Sequence, residues 1–127
     1  MSVLNAVTWF EIPAADFDRA VQFYSTVLAA EMRTENFMGI PNAFFPFDQQ
    51  GVGGAVVLDP DRKPSYTGSL VYLNAGTPEN LDRLLSRVEA AGGGLVVPRT
   101  DIGEPGYIAV IRDTEGNQVG LHAPRTM

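Results

Sequence analysis

The 127-residue sequence contains no cysteine, a single histidine and a single lysine. The absence of cysteine excludes disulfides, thiolate metal sites and a cysteine nucleophile. No apolar run approaches the roughly 20 residues that cross a bilayer, and the first residues have neither the basic segment nor the apolar core of a signal peptide. These absences predict a cytoplasmic protein that does not enter a membrane.

Positive charge is also scarce, with nine Lys and Arg against fifteen Asp and Glu and a net charge of −6. A surface of that sign repels a phosphate backbone, and no basic stripe interleaved with aromatic residues occurs. Nucleic-acid binding is therefore not expected. The length and the 45% hydrophobic content are those of a single globular domain, residues 1–127.

Apolar periodicity and capping residues predict two helices among eight strands. Asp16 is a suitable N-cap for the first helix, and Thr77 caps the second, with Pro78 in the favoured first position. Gly92 is expected to end the second helix in a left-handed conformation. The predicted strands are residues 6–12, 31–36, 39–47, 52–58, 69–74, 94–98, 106–112 and 117–122.

Two kinds of landmark recur at nearly the same spacing. The helix caps Asp16 and Thr77 lie 61 residues apart, and the turns that begin at Asp48 and Asp113 lie 65 apart. Such a repeat predicts an α+β fold made of two βαβββ modules that pair around a cavity. Module one covers about residues 1–58 and module two about 69–127, and the polar run 59–68 between them is interpreted as a solvated linker. The alternative is a single unrepeated α+β sheet.

Several segments carry a family resemblance: Phe10–Pro13, Asp16–Ala20, Phe23–Tyr24, Val71–Asn74, Ala90–Gly93, Gly106–Ala109 and Asp113–Asn117. Together they resemble the vicinal oxygen chelate superfamily, which includes glyoxalase I, fosfomycin-resistance proteins, extradiol dioxygenases and bleomycin-binding proteins. The closest likeness is to its glyoxalase-like, functionally undefined branch. One departure is Ala29, where the family usually has glycine, so that helix end is expected to differ.

The resemblance implies a divalent metal held by His, Gln or Glu from the first and last strands of each module. The positions where these ligands would lie are Val7, Ala55 and Gly120, none of which has a donor atom, and the strand 69–74 contains no His, Glu or Gln. A transition metal needs at least three converging donors. We therefore expect neither a family-type metal nor another cofactor, since a new site made by Glu11 and His122 would have only two donors.

Strand alternation turns Glu11 towards the cavity, beside Trp9. A partly desolvated carboxylate can transfer protons near neutral pH, so Glu11 is one catalytic candidate, and the alternative is an ion pair with Arg112 or Arg33. His122 is the other candidate, as a general acid or base. The alternative for His122 is a histidine at the fraying end of the last strand.

The cavity is expected to have aromatic walls with a few polar anchors, as small-molecule pockets do. The predicted ligand-binding residues are Trp9, Tyr72, Asn74 and Tyr107, together with the cluster Phe44, Phe45 and Phe47.

Three functions stay open at this stage. The first is metal-independent binding of a small aromatic or amphipathic molecule. The second is a metal-independent isomerase or lyase that uses Glu11, with His122 or Tyr72, for proton transfer. The third is a structural or regulatory protein without a ligand. A homodimer is also expected, because members of the resembled superfamily often dimerise and because an open sheet edge needs protection.

Overall fold

A computed structural model describes residues 5–125 of the chain. Its elements, in chain order, are β1 (Trp9–Pro13), α1 (Phe17–Leu28), β2 (Arg33–Phe37), β3 (Ile40–Phe44), β4 (Gly53–Val57), β5 (Tyr72–Asn74), α2 (Pro78–Val88), β6 (Gly94–Asp101), β7 (Tyr107–Arg112) and β8 (Gln118–Ala123). Within these residues no helix has the length and apolar character that a membrane span requires.

The elements form two four-stranded sheets with the orders β1-β4-β3-β2 and β5-β8-β7-β6. In each sheet the first strand runs parallel to the last strand, and the other pairs are antiparallel. Glu11 lies beside Ala55 in the first sheet, and Tyr72 lies beside Gly120 in the second. These pairs are related by the same spacings as the helix caps and the turns, so the predicted pair of βαβββ modules is confirmed.

Both helices begin where the capping residues indicate. The side chain of Asp16 accepts a hydrogen bond from the Arg19 amide at 3.1 Å, and the Thr77 hydroxyl accepts one from the Asn80 amide at 3.0 Å. Each bond satisfies an amide that the first turn leaves without a helical partner. Pro78 follows Thr77 directly and has no amide hydrogen to satisfy.

The helix ends differ from expectation at one position. α2 ends at Val88, and Gly92 adopts a positive φ of 104°, as predicted. At the end of α1, Ala29 has φ 52° and ψ 47°, the left-handed conformation that glycine usually provides. The prediction that the end of α1 differs from the family pattern is therefore wrong for the backbone conformation. Ala29 adopts the left-handed conformation that glycine would adopt there.

The core lies between each sheet and its helix. In β1 the side chain of Ile12 is buried, and Phe10 packs against Phe45 with 5.4 Å between ring centroids. In β8, Val119 and Leu121 are buried in the same cluster. Because side chains alternate along a strand, the neighbours of these residues face the opposite, concave side of each sheet. The predicted strand parity is confirmed.

The turn between β7 and β8, which we call the clasp (residues 113–117), joins the two modules. Tyr24 of α1 donates a hydrogen bond to the buried Asp113 carboxylate at 2.6 Å. Asn117 donates one to Asp113 at 3.0 Å and one to the Pro13 carbonyl at 2.8 Å. Burial raises the pKa of Tyr24 well above its ordinary value, and the negative Asp113 raises it further, so the phenol stays a donor.

Glu115 extends the clasp to the start of α1. Its carboxylate accepts hydrogen bonds from the amides of Ala15 and Asp16 at 2.8 and 2.7 Å, and from the Arg19 guanidinium at 2.7 Å. Burial opposes ionisation of this carboxylate, but the hydrogen bonds outweigh it and lower the pKa of Glu115 to about 2. A negative group at this place also complements the helix dipole of α1.

Candidate functional site

The concave face of module one carries an aromatic group around Trp9. The indole is 42% exposed, and its ring lies edge-on to Phe44 and Phe47, with centroids 6.0 and 6.4 Å away. The Phe47 ring lies over Gly53, where a Cβ would come within 2.5 Å of it. A glycine in β4 thus makes room for the ring that supports Trp9.

A cavity of about 680 Å³ opens beside Trp9. Its walls are formed by Trp9, Phe10, Glu11 and Pro13 of β1, Val57 of β4, and Asp61, Arg62 and Lys63 of the linker. The linker is exposed, as predicted, but it also forms one wall of the cavity, which sequence reasoning missed. The linker is charged and interrupted by prolines, so its sequence has no periodicity that would indicate which part of the fold it lies against.

A second cavity of about 210 Å³ lies where β1 approaches β8. Its lining consists of Glu11, Ile12, Pro13, Ser65, Thr67, Ser69, Val71, Asn117, Gln118 and Val119. Glu11 and Pro13 line both cavities. The Glu11 carboxylate therefore lies between an aromatic space and a space lined by hydroxyl and amide groups.

Glu11 faces the cavity beside Trp9, as predicted, but its surroundings differ from those expected. The Trp9 Nε1 donates a hydrogen bond to Glu11 Oε2 at 3.4 Å. The side chain is exposed, so the predicted partial desolvation of the carboxylate is absent. In residues 5–125 no ion pair involves Glu11. The alternative partner Arg33 lies 3.5 Å from Glu35 and over the Phe44 ring.

Tyr72, Asn74 and His122 lie on the concave face of module two and line neither of the two cavities. The Tyr72 ring covers Gly120, where a Cβ would approach it to 2.3 Å. Asn74 Oδ1 accepts a hydrogen bond from the Gly76 amide at 2.8 Å.

His122 is paired with Asn74 on one side and Ile108 on the other, so it is not at a frayed strand end. Its Nε2 lies 2.8 Å from the Pro105 carbonyl oxygen. The structure therefore does not bring His122 and Glu11 together in either cavity.

Tyr107 faces the opposite side of its sheet from the predicted one. It shares the helix-facing side of β7 with Ala109 and Ile111 and packs against the core. The guanidinium groups of Arg99 and Arg125 lie over its ring, 4.3 and 4.8 Å from the centroid. The prediction that Tyr107 lines the cavity is wrong, because the odd-numbered residues of β7 point towards α2.

The positions where a family-type metal would be held carry no ligand. Val7 is an exposed aliphatic residue, and Ala55 is a buried one. Gly120 has no side chain, and the Tyr72 ring occupies the space above it. Throughout residues 5–125 no three His, Cys, Asp or Glu side chains group as metal ligands would. This donor set does not fit the three or more ligands that a transition metal requires.

Solved structures with the same fold come from several organisms. A glyoxalase/bleomycin resistance protein from Albidiferax ferrireducens superimposes with a TM-score of 0.70 at 17% identity, covering 94% of this chain and 98% of that one. The trypanothione-dependent glyoxalase I of Leishmania major gives a TM-score of 0.68 at 14% identity, covering 97% and 89%. A fosfomycin resistance protein from Listeria monocytogenes gives 0.65 at 17% identity, covering 96% and 93%. At such identities these similarities show the fold alone.

The sequence itself identifies the family. No curated protein matches it. The model of the Glyoxalase/Bleomycin resistance protein/Dioxygenase superfamily, however, matches residues 6–121. The match covers both modules, the linker and the clasp. The chain therefore belongs to the Glyoxalase/Bleomycin resistance protein/Dioxygenase superfamily.

Proposed function

We propose that this chain is a metal-independent binding protein for a small aromatic or amphipathic molecule. The observation that carries the proposal is the cavity of about 680 Å³ beside the half-exposed Trp9. Its lining combines the apolar residues Trp9, Phe10, Pro13 and Val57 with the charged residues Glu11, Asp61, Arg62 and Lys63. Apolar walls with a small number of polar anchors are typical of small-molecule sites.

The proposal includes a degenerate metal site. Its support is chemical, since Val7, Ala55 and Gly120 offer no oxygen, nitrogen or sulfur donor from a side chain. Elemental analysis of the protein purified without chelator is expected to find no stoichiometric transition metal. One equivalent of bound zinc, nickel, iron or manganese would contradict this part of the proposal.

Thermal-shift screening against a library of aromatic and amphipathic metabolites tests the binding function. A ligand present at 100 times its dissociation constant adds about 2.7 kcal/mol to the free energy of unfolding. The Trp9→Ala variant should lose the shift, whereas Ile102→Ala, which removes an equally exposed apolar side chain elsewhere, should keep it. A library without any stabilising compound would favour the third possibility, a structural or regulatory protein without a ligand.

A metal-independent isomerase or lyase is the second candidate, and the position of Glu11 favours it. The carboxylate lines both cavities and has no cationic partner in residues 5–125, so it is free to accept a proton from a bound molecule. For a compound that the protein converts, Glu11→Gln should abolish turnover while leaving its affinity within about threefold. Unchanged turnover would remove Glu11 from the reaction.

We also propose a homodimer. Two of the four edge strands are β2 and β6, and each exposes apolar residues, Phe37 on β2 and both Leu95 and Val96 on β6. An identical copy could pair with such an edge and cover these side chains. Light scattering coupled to size-exclusion chromatography should give twice the monomer mass, and a monomer at high micromolar concentration would contradict the proposal.

A further inference from the structure

The linker forms one wall of the cavity, begins in a turn closed by its own hydrogen bonds, and is held at its end by the clasp. At its start, Asp59 Oδ1 accepts a hydrogen bond from the Asp61 amide at 2.9 Å, and the Asp59 carbonyl accepts one from the Arg62 amide at 3.0 Å. At its end, the Ser65 amide donates to Asn117 Oδ1 at 2.9 Å. Asn117 belongs to the clasp, so the linker wall is fastened to the joint between the two modules.

The fastened segment brings charges of both signs to the same cavity. Glu11 and Asp61 are acidic, and Arg62 and Lys63 are basic. Within residues 5–125 none of these four groups takes part in an ion pair. Lys63 is also the single lysine of the sequence. Two positive and two negative residues therefore line the same cavity without forming ion pairs in the part of the chain that the structure describes.

This arrangement restricts the charge of a suitable occupant. A bound anion would pair with Arg62 and Lys63 but would leave Glu11 unpaired beside a like charge. A bound cation would pair with Glu11 but would leave Arg62 and Lys63 unpaired beside a like charge. Desolvating a charge without a partner costs free energy, and like charges in contact repel each other. A molecule with one charge of each sign satisfies both sets of groups.

Resting on the proposed binding function, we infer that the occupant is an amphipathic zwitterion. Its apolar body lies against Trp9, Pro13 and Val57. Its anionic group is held by Arg62 and Lys63 of the linker, and its cationic group is held by Glu11. The linker is then a specificity-determining wall of the site and not only a connection between modules.

Trp9 is the single tryptophan of the chain, so its fluorescence reports on this cavity alone. Four probes share a phenyl body and differ in charge: phenylalanine carries both charges, phenylpropanoate the negative one, phenethylamine the positive one and phenethyl alcohol none. None of them emits in the tryptophan band. We expect phenylalanine to bind most tightly, about tenfold tighter than each singly charged probe, because each matched charge adds about 1.4 kcal/mol.

Charge variants identify which group holds which end. The double variant Arg62→Gln/Lys63→Gln should weaken phenylalanine and phenylpropanoate about tenfold, and it should bind phenethylamine at least as tightly as the wild type because it lacks the two like charges. Glu11→Gln should weaken phenylalanine and phenethylamine by a similar factor, and it should bind phenylpropanoate at least as tightly as the wild type because it lacks the like charge. Arg83→Gln, which removes a positive charge from the exposed face of α2, is the control and should alter no affinity. Because Glu11 accepts a hydrogen bond from the Trp9 indole, Glu11→Gln can change the fluorescence without any change in binding. Isothermal titration calorimetry therefore measures the same affinities without using the indole signal.

The possible outcomes separate this inference from the function on which it rests. If all four probes bind equally, or if the charge variants change nothing, the cavity binds aromatic molecules but the zwitterion inference is wrong. If none of the four binds by fluorescence or calorimetry at millimolar concentration, the inference and the proposed binding of small aromatic molecules are both overturned.

Discussion

The two modules share one design but differ in how their turns are used. In module two, Glu115 of the clasp is paired with Arg19 of α1. In the repeat, Gln50 in the turn of module one corresponds to Glu115, and Asn80 in α2 corresponds to Arg19. Both Gln50 and Asn80 are neutral. Gln50 is exposed, whereas the side chain of Glu115 is only 1% exposed. The same turn is therefore a joint in one module and a surface loop in the other.

The clasp therefore belongs to one module, and the site that we propose lies on the other. The clasp binds backbone groups at the start of α1 and the end of β1, and it joins module one to module two. No corresponding contact from the turn at Asp48 holds the start of α2 within residues 5–125. The concave face of module one, with Trp9, is left open beside the linker.

The largest expected effect tests the asymmetry of the two turns. Asp113 is fully buried and accepts hydrogen bonds from Tyr24, Asn117 and the Glu115 amide. Asp113→Ala leaves these donors buried without an acceptor, so the free energy of unfolding should fall by about 3 to 5 kcal/mol. Urea denaturation followed by circular dichroism measures the loss.

Asp48→Ala is the matched control in module one. The bond from the Gly51 amide to Asp48 uses the backbone carbonyl and survives the substitution. We expect a change of less than about 0.5 kcal/mol, as for most exposed positions. Equal losses in the two variants would show that the turns are equivalent and that the clasp does not join the modules.

An effect of intermediate size is expected from pH. The pKa of Glu115 is about 2 in the folded chain and 4.5 for an unperturbed glutamate, so the folded state favours the ionised form. Its contribution is fully present above the unfolded value and is lost as pH falls from about 4.5 to about 2. Because Arg19 is half exposed and solvent screens it, we expect a contribution of about 1 to 3 kcal/mol.

Urea denaturation of the wild type and of Glu115→Gln across this pH range isolates the contribution. The variant should be less stable at neutral pH and should lose less stability on acidification. Glu104→Gln, at an exposed position in the loop before β7, should follow the wild-type curve. Parallel curves for wild type and Glu115→Gln would show that the carboxylate at the clasp does not stabilise the fold.

The fold was largely predictable because each module repeats several local signals. Asp16 and Thr77 mark the helix starts, and strand alternation separates Phe10 and Val119 from the concave face. Strand ends were less predictable. The strand predicted at 69–74 is limited to Tyr72–Asn74, because its extent depends on where β8 pairs with it and not on its own propensity.

The site was predictable only in part. Trp9 and Glu11 could be placed because Phe10 and Ile12 share the core side of β1, which leaves the odd-numbered residues on the other side. The burial of Glu11 depends instead on what covers the concave face, which no local pattern encodes. Tyr107 was assigned to the wrong side of its sheet because every residue from 107 to 111 is apolar. Without alternating polar residues, the sequence does not show which side of β7 faces the core. The linker wall depends on Asn117, which binds Ser65 from far along the chain.

The smallest expected effect compares the helix ends. α1 ends with Ala29 at positive φ, and α2 is followed by Gly92 at positive φ. The left-handed conformation costs an alanine about 1 to 2 kcal/mol, but glycine loses more entropy on folding. Ala29→Gly should therefore raise the free energy of unfolding by about 0.5 to 1 kcal/mol.

Gly92→Ala should lower the free energy of unfolding by more than that, because a Cβ there would also lie 3.0 Å from the Thr114 methyl group. Thermal and urea unfolding measure both changes, and a loss of stability in Ala29→Gly would mean that Ala29 makes a favourable contact outweighing its backbone strain.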